Sequence, residues 1–484
     1  MKRGLLVEEL NFTPKLQILS QEQMERFHLA TLEILERLGV RLNHPKGLEM
    51  LASVGCQVDG TQVRFPAAVV EKALGQAPKR IVLGDRDNGR TVHLEDRRTW
   101  YGPTIDCINY LDPETGDRSP CESRHVKTMS RLCDKLGTYT WNMTLGLCDD
   151  LPPTMADKVA SRLAMEFCRK PTVCCCADRR SLNEIYEMAV LCQGGVKEFE
   201  RNPFLLHLAD PTSPLLYYDP VVEKIIFCAE KKIPLINFPG IQAGGTSPAT
   251  LAGTIVQASA ESLSGLVLHQ AANPGAPFIY GAFATIMDLR TTVFSYGAIE
   301  LSMMVGAMAQ LSQFYRLPFF GTAGCTDSQV VDIQAGVEGA IQDLVAATVG
   351  QGLVHDTHSW LDHGSTVSPA YFVLGHEILG MLDRFMEGIP LSEETLALEV
   401  LKNVGSGGNF LREPHTLKHF KQSFYSKIFE RAHHESWKNK GGKLIEERLR
   451  ERTMALIGET DEHPLDPKLV AELDQRQASW AKWH

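Results

Sequence analysis

The segment His355-Asp356-Thr357-His358-Ser359-Trp360-Leu361-Asp362-His363 packs three histidines and two carboxylates into nine residues. Imidazole and carboxylate side chains move protons, orient one another, or ligate a metal. Three readings compete. The first is a metal site with mixed N/O ligands, which would make the chain a metal-dependent hydrolase using His355, His358 and Asp356. The second is a polar loop whose histidines bond locally. The third is a substrate contact through His355. A closed ligand set is missing, so no bound metal is expected. A metal-dependent barrel enzyme also needs ligands on other strands, and the run Gly102-Pro103-Thr104-Ile105 carries no HxH pair.

Other segments end in residues able to do chemistry: Pro103 to Asp106, Ala177-Asp178-Arg179, Ala209-Asp210-Pro211, Phe283 to Arg290, and Cys325 to Gln329. None of these ends carries a lysine, which disfavours Schiff-base chemistry. Asp288-Leu289-Arg290 offers either a guanidinium for a ligand carboxylate or an internal ion pair. Gln242-Ala243-Gly244-Gly245 offers backbone N–H groups at an expected helix start, capped by Thr246-Ser247-Pro248, where an anion would bind. Trp100, Tyr101, Tyr217, Tyr218, Phe238, Tyr280, Phe283, Phe294, Phe320 and Trp360 lie in or beside the same segments. Rings around a site attract a quaternary ammonium through their faces, and they also suit an apolar ligand.

The elements that must position these residues follow from periodicity. Short β-branched or aromatic runs start near 99, 138, 172, 203, 234, 277, 318 and 352, each followed by a helical pattern. Eight strand–helix units in roughly 250 residues are the signature of a (β/α)8 TIM barrel in the α/β class. Several runs open on Pro, where a missing N–H costs least, and continue apolar on both faces. In such a barrel the strand C-termini build the site. Helical periodicity marks Glu184–Cys192, Pro220–Lys231 with Asp219 as N-cap, and Gly297–Tyr315. Residues 1–95 read as an N-terminal extension. It includes a Ser20/Gln23 capping box and a helix face of Met24, Phe27, Ile34 and Leu38. Residues 96–389 form the barrel. Residues 390–484 form a C-terminal helical segment that wraps the barrel or builds a dimer contact, so a homo-oligomer is expected.

Composition sets the outer bounds. The chain has 484 residues, 49 Lys+Arg against 59 Asp+Glu, a formal charge of −10, and 44% hydrophobic residues. This excludes disorder and argues against nucleic acid, since no basic footprint exists. The N-terminal MKRGLLVEELNF lacks the apolar core of a secretory signal, and no run of about 18 uninterrupted apolar residues occurs. No membrane contact and a cytoplasmic location are therefore expected. The most apolar stretch, Leu301–Leu311, reads as a buried helix. Twelve scattered cysteines without a CxxC pair, three of them adjacent at Cys174–Cys176, read as reduced thiols.

Several segments together resemble the trimethylamine:corrinoid methyltransferase superfamily. They are Tyr101-Gly-Pro-Thr-Ile-Asp106, Gly281 to Arg290, Tyr296-Gly297, Gly324 to Ser328, Asp332 to Gly336, and His415 to His419. The resemblance implies a (β/α)8 barrel that moves a methyl group from a methylamine to Co(I) of a corrinoid (cobalamin) carried by a separate partner protein. The founding members place pyrrolysine in the loop that here reads Cys325 to Asp332, near Gln329 to Val331. This chain has only ordinary residues there. That implies the branch lacking pyrrolysine, which demethylates quaternary amines such as glycine betaine.

The chemistry agrees with that branch. A quaternary ammonium leaves as a neutral amine, so its departure needs no general acid. Catalysis is then positioning and desolvation, and uncharged aromatic walls serve better than a strong carboxylate. By strand-end position, His355 and Asp288 are the expected catalytic residues. Tyr101, Gln242, Tyr280, Phe283, Arg290, Gln329, His358 and Trp360 are the expected substrate contacts. Asp106, Asp288 and Asp327 are expected to orient loops. A silent betaine-binding protein is the remaining alternative.

Overall fold

A computed structural model describes residues 13–480 apart from 96 and 462. The N-terminal dodecapeptide read above for a signal lies outside the described residues. Eight parallel strands are present: β1 (Thr99–Tyr101), β2 (Asn142–Met143), β3 (Thr172–Cys174), β4 (Leu205–Ala209), β5 (Leu235–Asn237), β6 (Phe278–Gly281), β7 (Phe319–Thr322) and β8 (Gly352–His355). They pair in the order β1-β8-β7-β6-β5-β4-β3-β2. A bridge between Tyr101 and Tyr139, with Thr140 N–H donating to the Tyr101 carbonyl at 2.8 Å, joins the two ends. The sheet is thus a (β/α)8 barrel, and each expected strand lies within a few residues of its reading.

Each strand leads to a helix: α1 (Ser123–Lys135), α2 (Pro153–Phe167), α3 (Arg179–Gln193), α4 (Asp219–Lys231), α5 (Leu251–Ala272), α6 (Ile299–Tyr315), α7 (Ile333–Val349) and α8 (Pro369–Met386). The α4 helix starts one residue earlier than expected: Tyr218 is the N-cap, and Asp219 joins the first turn. Among the described residues α5 alone is long and apolar enough to cross a membrane, but 72% of its apolar window is buried inside the protein, between the barrel and the N-terminal extension. All twelve cysteines are free thiols.

The extension begins with the helix Gln21–Arg37, whose capping box forms: Gln23 N–H donates to Ser20 Oγ at 3.2 Å, and Ser20 N–H to Gln23 Oε1 at 2.8 Å. Its buried face is centred on Thr31, Leu32 and Leu35, while Leu38, expected inside, is 52% exposed. Leu38 is the C-cap, where the chain turns away from the packing surface. The strand Val40–Leu42 ties the extension to the barrel by parallel pairing with Leu216–Tyr217 in the loop after β4. At the other end of the chain, Ile445–Gly458 packs on α8, and Pro467–Trp480 packs on α2 and α3. A long arm lies between α8 and those two helices.

Candidate active site

The inward side chains at the top of the barrel are aromatic. His355 stacks on Phe320 with centroids 4.6 Å apart and meets Phe238 edge-on at 4.8 Å. Trp141 stands 5.6 Å from Phe320. From this floor a ladder of rings climbs the wall: Trp360 lies 6.3 Å from His355, Tyr296 4.6 Å from Trp360, and Phe283 and Phe294 4.5 and 5.1 Å from Tyr296.

The loops holding this wall are fixed by polar contacts that are mostly half-buried. The Asp327 carboxylate accepts from Tyr296 N–H at 2.7 Å and from the Ser295 hydroxyl, and it pairs with His363 at 3.1 Å. Glu338 on α7 in turn accepts from Asp327 N–H at 3.0 Å and Thr326 Oγ1 at 2.5 Å. Gln342 donates to the Tyr296 carbonyl at 2.7 Å. Gly364 (φ 82°) closes the loop, and a β-carbon there would meet Tyr296 at 3.0 Å and Trp360 at 3.2 Å. Asp356, His358, Asp362 and His363 all take left-handed backbone angles. Such conformations persist only where the surroundings enforce them, and they collect at functional sites.

His355 has a polar neighbour at each ring nitrogen. Nδ1 faces Asp356 Oδ1 at 2.6 Å, and Nε2 pairs with Thr322 Oγ1 at 2.7 Å. Asp356 also accepts from Thr104 Oγ1 at 2.8 Å. Burial raises the Asp356 carboxyl, and the adjacent His355 pulls it back down. The imidazole is therefore clamped in place on an aromatic floor.

Asp106, ending the β1 run, and Asp210, just past β4, are open to solvent yet hemmed in by protein. Burial pushes each carboxyl to about 6, and the charge of Asp210 adds to the rise at Asp106. Lys224 opposes both shifts from beneath, its ammonium donating to the Cys176 carbonyl at 2.6 Å. Asp106 and Asp210 follow the C-terminal ends of the parallel strands β1 and β4, which puts both at the mouth of the barrel. The cup is therefore not the uncharged one expected: it has an aromatic side and an acidic side.

Of the expected site residues, the structure brings His355, Trp360 and Phe283 together on the ring ladder. Gln242 pairs in register with Thr285 on the strand Phe283–Asp288, on the face that carries Phe283. The others go elsewhere. Tyr101 points outward, its hydroxyl donating to the Asp343 carbonyl of α7. Tyr280 also points outward, donating to Ser259 of α5 at 2.8 Å. His358 is fully buried behind the barrel, with Nε2 2.6 Å from Asp343 Oδ2. Asp288 and Arg290 occupy a hairpin tip, where the guanidinium is 89% exposed, bonds Asp288 at 2.8 Å, and holds its carboxyl at about 2. Gln329 is exposed and donates to the carbonyl of Asp327.

One further expectation is corrected, and the alternative of a metal site finds no ligand set among the described residues. Gly244-Gly245 does not open a helix: Gly240–Ala243 is a strand, and α5 begins at Leu251 after Thr250. The expected anion site is therefore absent from that turn. His355 and His358 do not converge on one point, and among the described residues no group of three or more His, Cys, Asp or Glu is arranged to hold a metal ion. Sequence reasoning missed Tyr296 and assigned Asp106 to loop ordering. The signal for Tyr296 was its neighbour Gly297, where a β-carbon would strike Glu338 at 2.4 Å.

A family model described as trimethylamine methyltransferase (MTTB) matches residues 5–479. The trimethylamine methyltransferase of Desulfitobacterium hafniense (strain DSM 10664 / DCB-2) is 30% identical over 456 residues, covering 94% of this chain and 92% of its own. The glycine betaine methyltransferase of Desulfitobacterium hafniense (strain Y51) is 28% identical over 465 residues, covering 95% and 96%. Among solved structures, the monomethylamine methyltransferase of Methanosarcina barkeri superposes with a TM-score of 0.51 at 12% identity, covering 90% of this chain and 88% of that one, a likeness of fold.

Proposed function

Because this chain belongs to the trimethylamine methyltransferase (MTTB) family of corrinoid-dependent methyltransferases acting on methylated amines, we propose that its own substrate is a quaternary amine. Glycine betaine is the first compound to test. The observation that carries this reading is the two-sided cup. Phe283, Tyr296 and Trp360 form a continuous aromatic wall, and Asp106 and Asp210 are exposed carboxylates past the C-terminal ends of β1 and β4, on the same end of the barrel. A permanent cation gains from both, with each ring worth about 0.5–2 kcal/mol.

The Co(I) corrinoid of a partner protein supplies the nucleophile that accepts the methyl group. The residues here hold and orient the amine. Trp360 and Tyr296 face the ammonium, and the clamped His355 forms the floor beneath it. Gln242 is placed beside Phe283 to meet the polar tail. Positive charge drains from the substrate nitrogen as the methyl departs, so the neutral wall holds both states better than a salt bridge would. Asp106 and Asp210, raised to about 6, sit between these limits. They attract the cation above that pH without a fully solvated ion pair.

Fit to a carrier protein rests on the rim. Ile108, Leu147, Tyr218, Leu289 and Val293 stand 36–67% exposed on loops that follow the β1, β2, β4 and β6 ends. Exposed apolar side chains around a concave mouth suit a docking protein.

The test is to incubate the protein with Co(I) cobalamin or a corrinoid protein and a panel of methylated amines, and to follow the demethylated amine by mass spectrometry. Glycine betaine should lose one methyl group. Choline belongs in the panel as the quaternary amine without a carboxylate tail. Turnover of trimethylamine with no quaternary amine demethylated would overturn the reading.

A further inference from the structure

Thr322 and His355 stand side by side on neighbouring strands, because β7 and β8 pair in a register that sets one opposite the other. Phe320, two residues before Thr322 on the same strand, stacks on His355, so Thr322 shares that inward face. Thr322, His355, Asp356 and Thr104 are all buried, none of them more than 3% exposed. At such burial each polar proton needs an acceptor within the protein.

The protons of this group can be placed one by one. Thr322 Oγ1 lies 2.7 Å from His355 Nε2, its only hydrogen-bond partner among the described residues. The hydroxyl proton therefore points at Nε2, and Nε2 offers a lone pair. A hydrogen on Nε2 would strand the buried hydroxyl proton, at the desolvation cost of an unmade bond. An imidazole with one bare nitrogen carries its hydrogen on the other. That nitrogen, Nδ1, lies 2.6 Å from Asp356 Oδ1, where a lone pair would be repelled and an N–H is attracted. The same oxygen accepts from Thr104 Oγ1 at 2.8 Å.

We infer that Thr322 holds His355 as the neutral Nδ1–H tautomer, so that the floor beneath a cationic amine carries neither a positive charge nor a free N–H. Thr322 is a positioning residue: it acts through the imidazole. Its β-branched side chain has few χ1 choices, which keeps the hydroxyl aimed along the sheet. With both nitrogens occupied, the ring presents only carbon to the cup: its C–H edges and the face turned away from Phe320, whose ring covers the other at 4.6 Å. A donor on the lone pair disfavours a second proton on the ring. An imidazolium here would repel the quaternary nitrogen above it, and a neutral ring does not. His355 then works by shape and neutrality, with no proton transfer. This consequence rests on the quaternary-amine reading. The tautomer does not, and it is measured without any ligand.

The experiment uses the full chain with isotope-labelled histidine. Nitrogen NMR reads the ring nitrogens, and His355→Gln identifies the signals of His355. The native protein should show Nδ1 protonated and Nε2 bare. Thr322→Ser should keep that pattern. Thr322→Val, which keeps the shape without the hydroxyl, should move the Nε2 signal toward the protonated range. Binding then separates charge from shape. Calorimetry compares glycine betaine with tert-butylacetate, which has the same carboxylate and a neutral head of the same size. Thr322→Val should weaken glycine betaine about tenfold relative to tert-butylacetate, and Thr322→Ser less than about twofold. A hydrogen on Nε2 of the native protein, or a doubly protonated ring, would overturn the inference. So would a Thr322→Val protein that loses both ligands equally, which is what a purely structural role produces. If glycine betaine does not bind the native protein, that substrate fails while the nitrogen signals still decide the tautomer.

Discussion

Two histidine–aspartate pairs stand three residues apart at the end of β8, and they do different things. His355–Asp356 and His358–Asp343 have the same closest approach, 2.6 Å. The first lies on the barrel axis against Phe320 and beneath Trp360. The second is walled off behind the barrel, where His358 packs against Tyr371 and a β-carbon on Gly375 would strike it at 2.3 Å. The same chemistry forms the floor of a cup in one place and fastens the β8 loop to α7 in the other. Residue type names a capability, and the direction of the side chain decides its use.

Breaking the rear pair should give the largest effect. Asp343→Ala or His358→Ala strands a buried ionisable group and should cost about 3–5 kcal/mol in denaturant unfolding. His355→Ala should instead lower kcat/KM about 100-fold through lost positioning, with a smaller loss of stability. If both variants lose stability equally and His355→Ala keeps its turnover per folded molecule, the contrast between the pairs fails.

The cup itself offers finer tests. Trp360→Leu should raise KM for a quaternary amine about tenfold, the worth of one cation–π face. Asp106 and Asp210 titrate near 6, so KM should fall about fivefold as pH rises through that value and both become charged. Asp106→Asn with Asp210→Asn should flatten that profile. The sign for stability is opposite. A carboxyl raised from 3.8 to about 6 holds its proton more tightly in the folded state, so stability falls as pH climbs through that interval. The double Asn variant should therefore melt higher than the native chain at neutral pH. The smallest effect belongs to Arg290→Gln: with the guanidinium spent on Asp288 at an exposed tip, kcat/KM should change less than about twofold.

How much of the cup was legible can be argued residue by residue. The strand positions were readable because parallel barrel strands are apolar on both faces and start after Pro, as at Pro234, Pro277 and Pro318. That same double burial hid which face looks inward. Tyr101, Tyr280, Phe238 and Phe320 read alike, yet the first two pack under helices while the last two floor the cup. Asp106 and Asp210 were visible as strand ends, but their shared electrostatics belong to β1 and β4 meeting across the mouth. Tyr296 lies beyond a hairpin, where no strand or helix period fixes its direction.

The sequence by itself determined the alternation of eight strands and helices, the reduced thiols, the family resemblance and the supply of rings and acids at the strand ends. These depend on local periodicity and residue chemistry, which one chain displays without partners. Only the tertiary structure decided which rings form a wall, which histidine reaches the cup, and that Arg290 is spent on its neighbour. Closing a sheet into a barrel divides each strand into an inner and an outer face, and it brings residues more than a hundred positions apart to one mouth. No local pattern encodes that division when both faces are apolar.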